Sequence, residues 1–140
     1  MKLRFTLMLS MLLTACAAPY SPLPGEATAR VNIRETGRLT ICHAGKKYSV
    51  WSENGSDYAN LPANVPVGVF VTRTVGGSAA GSYSVTYNCS PNIGVNLTPG
   101  ATYFLNFEMQ ESKCYLELYE ETVLSPVHLR PVLPQRAQGC

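Results

Sequence analysis

Apolar residues recur at every second position through most of this chain, the period of a pleated strand with one face buried. Val67, Val69, Val71 and Val75 share one parity, with Phe70 and Thr72 on the other. Tyr83, Val85, Tyr87 and Cys89 alternate with Ser82, Ser84, Thr86 and Asn88. Tyr103, Leu105, Phe107 and Met109 alternate with Thr102, Phe104, Asn106 and Glu108; after a polar loop over 110–113, Cys114, Leu116 and Leu118 alternate with Tyr115, Glu117, Tyr119 and Glu121. Shorter stretches at 30–34, 39–42 and 47–52 follow the same rule, and 76–81 reads as a glycine-rich hairpin tip. The segments 60–66 and 126–134 are too rich in proline for central strands, where a missing N–H breaks the ladder, so they are expected as loops or edges. With no helical period anywhere, the pattern predicts an all-β fold: a single antiparallel β-sandwich or small barrel over 29–140.

The N-terminus follows a different logic. Lys2 and Arg4 precede an apolar run from Phe5 to Leu13, closed by Leu13-Thr14-Ala15-Cys16. This run is too short for a membrane-spanning helix of ~20 residues and has the layout of a secretory signal. The closing tetrapeptide has the form of a lipobox, after which the chain is cut and the cysteine acylated. The expected organisation is therefore a signal peptide over 1–15, lipidated Cys16, and a proline-rich tether over 16–28. An ordinary signal peptide cut after Ala17 or Ala18 is the competing reading. By resemblance to bacterial lipoproteins, in which an Asp after the lipidated cysteine favours retention in the inner membrane, Ala17 implies the outer membrane; its periplasmic face is the side expected.

Removing residues 1–15 changes the charge. The chain has 11 Lys+Arg and 9 Asp+Glu; without Lys2 and Arg4 the balance is 9 against 9. A neutral domain gives no reason to expect nucleic acid or an anionic membrane surface as a partner, because both need clustered cations. The dipeptide Lys46-Lys47 reads as a solvated turn. About 125 residues remain, enough for one domain.

Setting Cys16 aside leaves four of the five cysteines, an even number suited to two disulfides in an exported domain. Cys89 shares a parity with Val85 and Tyr87, and Cys114 with Leu116 and Leu118, so both can lie on the core side. The predicted bridges are Cys89–Cys114 inside and Cys42–Cys140 fastening the C-terminal tail to the outward face of its strand. A tetrahedral zinc site from Cys42, His43, His128 and another cysteine is the alternative, but the sequence lacks the close ligand pairs such sites use. No metal or cofactor is expected.

Catalytic signatures are missing: there is no Gly-x-Ser-x-Gly elbow and no phosphate loop. Glu117 and Glu121 alternate with Tyr115 and Tyr119 as on a solvated strand, unlike a pair of carboxylates flanking one cleft. The chain is thus expected not to be an enzyme. Trp51, Tyr115 and Tyr119, with Tyr48 and Tyr58, are candidates for a partner-binding surface, since such side chains combine contact area with a polar handle.

The lipobox and the run Cys89-x9-Pro99-Gly100-x2-Tyr103-x10-Cys114 resemble those of small uncharacterised proteobacterial lipoproteins with β-sandwich domains. That resemblance implies a fold and a location, and carries no activity or functional residues with it. The function expected is a lipid-anchored, non-catalytic envelope protein that binds another envelope protein. The alternative is a periplasmic inhibitor of an exogenous enzyme such as lysozyme, acting through the loop at 52–57 or 76–81.

Overall fold

A computed structural model describes residues 17–76, 86–123 and 127–140. Eleven strands are found there: β1 (Ala18–Pro19), β2 (Thr28–Asn32), β3 (Arg38–His43), β4 (Lys46–Val50), β5 (Tyr58–Pro62), β6 (Pro66–Gly76), β7 (Thr86–Cys89), β8 (Asn92–Asn96), β9 (Thr102–Gln110), β10 (Lys113–Glu121) and β11 (Leu129–Val132). They form two packed sheets. Sheet A runs β1-β4-β3-β6-β7, with β8 also paired to β6; sheet B runs β11-β10-β9-β2-β5. Neither closes into a barrel. Pairing is antiparallel except at β1–β4 and β2–β9.

The alternating apolar positions supply the core. Leu39, Ile41, Val67, Val69 and Val71 from sheet A meet Val31, Leu61, Leu105, Leu116 and Leu118 from sheet B in one buried cluster. Pro62 and Pro131 lie on edge strands β5 and β11, where the absent N–H disturbs no central ladder.

Turn chemistry sets the connections. Ala44 and Gly45 join β3 to β4 with φ of 49° and 72°, both left-handed as a two-residue type I′ hairpin requires. Pro99 and Gly100 (φ 73°) form the turn before β9, and Ala101 N–H donates to Thr98 O. The buried Tyr103 hydroxyl accepts the Thr98 N–H at 3.0 Å. The spacing Pro-Gly-x-x-Tyr is thus a turn whose amide is satisfied by the tyrosine four residues beyond the proline.

Four features differ from the sequence reading. The β9–β10 connection has two residues, Glu111 and Ser112, with Gln110 and Lys113 paired as the last rung. Strand β8 was not anticipated. Tyr87, expected on the buried face of its strand, is exposed because β6 and β7 run on past the end of the core. Of the expected glycine-rich tip and the strand start at Tyr83 and Val85, residues 77–85 lie outside the described residues.

The fourth difference is the proline-rich segment before the domain. Residues 18–26 lie along sheet A instead of standing off from it. β1 pairs in parallel with β4, and Tyr20 N–H donates to Ser49 O at 2.8 Å. The Tyr20 ring stands edge-on to Tyr48 and His43, with centroids 5.8 and 6.4 Å away. Proline prevents a regular ladder but leaves its neighbours free to dock, and one aromatic ring with two backbone contacts suffices to hold so short a piece.

Candidate functional site

The outer face of sheet B brings together residues from four strands. One row crosses it through Tyr119, Phe104, Asn32 and Tyr58, each paired with the next. Alternation forces this arrangement, because Leu105, Leu118, Val31 and Ala59 point into the core from the same strands. The Tyr119 hydroxyl donates to Glu117 Oε2 at 2.7 Å, and this bond holds the phenol above its ordinary pKa. Asn106 Nδ2 reaches the same carboxylate at 3.5 Å. The Arg30 guanidinium lies 4.5 Å over the Tyr58 ring, whose hydroxyl donates to Glu121. Tyr115, opposite Glu108, is 43% exposed at the end of the patch. The face combines aromatic rings and carboxylates with the Arg30 guanidinium.

Tyr115 and Tyr119 therefore share one surface, joined by Tyr58 and by Phe104, which the sequence reading did not single out. Trp51 does not share it. It follows β4 in sheet A and is 73% exposed at the end of the sandwich, beside Ile33, Arg34 and Asp57. Tyr48 packs against Tyr20 and belongs to the attachment of the N-terminal segment. The carboxylates of the sheet B face are spread along strands, and Glu117 and Glu121 each accept a hydrogen bond from a tyrosine.

Both disulfides join the predicted partners. Cys89–Cys114 links β7 of sheet A to β10 of sheet B, with Cα atoms 5.9 Å apart. Cys42–Cys140 fastens the last residue to β3, with Cα atoms 5.5 Å apart. Cys42 does point away from Leu39 and Ile41, yet it is buried, because the tail covers it. The tail leaves β11, bridges β8 at Gly94–Gln135, and crosses the outer face of sheet A over Gly94 and Gly68 to reach Cys42. A Cβ on either glycine would collide with a backbone carbonyl, of Arg136 or of Gln138.

Cys42 is thus committed to sulfur. His43 Nε2 lies 3.5 Å from Glu26 Oε1, while His128 precedes β11 in sheet B. Among the described residues no three His, Cys, Asp or Glu side chains gather to hold a metal ion.

At the N-terminal corner, Glu26 accepts hydrogen bonds from the Tyr20 hydroxyl at 3.0 Å and the Leu23 amide at 2.8 Å. Burial first, and then this carboxylate, push the Tyr20 pKa well up. Ser49 Oγ donates to Ala17 O at 3.2 Å, so the attachment extends to the first described residue. Cys16 precedes it directly and lies outside the described residues. No helix among the described residues is long and apolar enough to cross a membrane. Compared with known proteins, the chain matches no family model, no curated protein and no solved structure.

Proposed function

We propose that this chain is a non-catalytic lipoprotein of the outer membrane, acylated on Cys16, exposed to the periplasm, whose sandwich binds another envelope protein through the outer face of sheet B. The lipobox supports the anchor. The observation that carries the binding reading is the row Tyr119, Phe104, Asn32 and Tyr58 bordered by Glu117 and Glu121, on the sheet opposite the one that holds Ala17. An anchor on one sheet leaves the other free to meet a partner. Tyrosines held by carboxylates are pre-ordered, so little side-chain freedom is lost on binding, and the acidic rim selects a partner with a basic surface.

The test is site-specific photo-crosslinking in intact cells. A crosslinking amino acid at Tyr115 should capture one envelope protein, and the same reagent at Thr72 on sheet A should not. Capture of nothing specific from Tyr115, Phe104 and Tyr58 in turn would contradict the reading.

The inhibitor reading is favoured by Trp51, exposed at the root of the loop over 52–57. That loop is built around Asn54 and Gly55 (φ 47° and 72°) and tied back by Glu53 N–H to Tyr58 O. Inhibition of lysozyme-driven cell-wall clearing, lost in Trp51→Ala, would establish it; clearing at an unchanged rate would rule it out.

A further inference from the structure

The chain after residue 15 is neutral, but its strand carboxylates all lie on sheet B, beside Arg30, Lys113 and Arg130, while the strands of sheet A carry cations alone. The outer face of sheet A beside β1 carries a concavity of about 690 Å³ lined by Ala17, Ala18, Arg38, Lys46, Lys47 and Thr72. Arg38 and Lys47 project from it because Leu39, Ile41 and Val50 take the core side of the same strands. Among the described residues none of the three cations has an ion-pair partner; the pairs formed are Arg34 with Glu35 and Asp57, His43 with Glu26, and Arg130 with Glu120. Glu26, the carboxylate at this corner, is committed to Tyr20, the Leu23 amide and His43. Strands β1, β3, β4, β6 and β8 contribute no acidic side chain at all. Glu108, Glu117 and Glu121 lie on sheet B.

We propose that this concavity seats the anionic headgroups of the membrane in which the acyl chains of Cys16 are embedded. The inference rests on the lipidation reading above and adds an orientation to it. Ala17 is hydrogen-bonded to Ser49 and Ala18 is paired with Tyr48, so no free spacer separates the acylated residue from the sheet. One extended residue spans only ~3.5 Å. A domain held that close brings Arg38, Lys46 and Lys47 within a Debye length of ~8 Å of the headgroups, where unpaired cations are attracted to anionic lipid. The β1 edge of sheet A then faces the bilayer, beside the part of that sheet which the C-terminal tail covers, and sheet B faces the periplasm. A lone basic dipeptide carries little information; three unpaired cations around the attachment point carry an orientation.

The lysines after residue 16 are Lys46, Lys47 and Lys113, and Lys113 begins β10 on the other sheet. This makes a direct test possible. The acylated protein is reconstituted into phosphatidylcholine vesicles with or without phosphatidylglycerol, treated with an amine-acylating reagent, and the modified peptides are followed by mass spectrometry. On phosphatidylglycerol vesicles Lys46 and Lys47 should react about fivefold more slowly than on phosphatidylcholine, the scale of one headgroup contact per lysine, while Lys113 reacts equally on both. Arg38→Glu should bring the Lys46 and Lys47 rates back toward the phosphatidylcholine value. Equal rates at Lys46 and Lys47 on both vesicles, in protein that floats with them, would overturn this inference and leave the anchor intact. Protein that carries no acyl mass and fails to float would overturn both.

Discussion

Gly68 lies directly beneath the carbonyl oxygen of Gln138, seventy residues later in the chain, with no room for a Cβ between them. A glycine in a strand ordinarily weakens it, but here it marks where another backbone passes. Gly68→Ala must therefore lift the tail or bend β6, and should destabilise the domain by about 1–3 kcal/mol. In a Cys42→Ser, Cys140→Ser background the tail is free to rise and the same substitution should cost less. Denaturant midpoints of the four variants check this; equal costs in both backgrounds would show that the tail does not press on Gly68.

The two disulfides should contribute unequally. The loop closed by Cys42 and Cys140 spans 98 residues and that by Cys89 and Cys114 spans 25. Chain entropy then assigns about 4–5 kcal/mol to the first and about 3–4 to the second. Paired Cys→Ser variants at each bridge, compared by chemical denaturation, should rank in that order. Hydrogen exchange of the Gln135 and Gly94 amides should accelerate in the Cys42–Cys140 variant and stay protected in the other.

The attachment of the N-terminal segment should fail at high pH. Folding raises the Tyr20 pKa above its ordinary 10.0, first by burial and then through Glu26, with Tyr48 adding to it. The folded state therefore keeps the proton to higher pH than the unfolded chain. The stability this gives is complete below pH 10 and declines as pH rises beyond it. Melting temperatures between about pH 8 and pH 11 should fall less steeply for Tyr20→Phe than for the wild type. Parallel curves would contradict the role of this phenol.

Tyr103→Phe keeps the ring in the core and removes only the oxygen that accepts the Thr98 amide. Leaving that amide without its partner should cost about 1–3 kcal/mol. Calorimetry reads the loss directly, and an unchanged melting temperature would show that the hydroxyl does not support the turn.

Much of this architecture was legible in the residues because it depends on local alternation. Val67, Val69 and Val71 in one strand and Leu116 and Leu118 in another declare their faces without reference to the rest of the chain, and the parity of Cys42, Cys89 and Cys114 carried over into the pairing of the sulfurs. Strand β8 offered only Ile93 and Val95 around Gly94, with Pro91 just before it. Its glycine reads as a flaw until the tail that crosses it is placed, and that contact comes from more than forty residues away. β1 was hidden for a related reason: two residues paired through their backbone leave no side-chain period. Trp51 could not be separated from Tyr115 and Tyr119 by sequence alone, since alternation tells inside from outside but not which sheet a residue's outside belongs to.

The central claim is that Cys16 is acylated and that the domain is held at the membrane by it. Intact mass of the mature protein extracted from membranes, before and after reduction, tests this most directly. The expected result is a chain beginning at Cys16 and carrying diacyl or triacyl mass, with a gain of about four hydrogens on reduction from the two disulfides. A chain beginning at Ala18 or Pro19, or an unmodified Cys16, would contradict it.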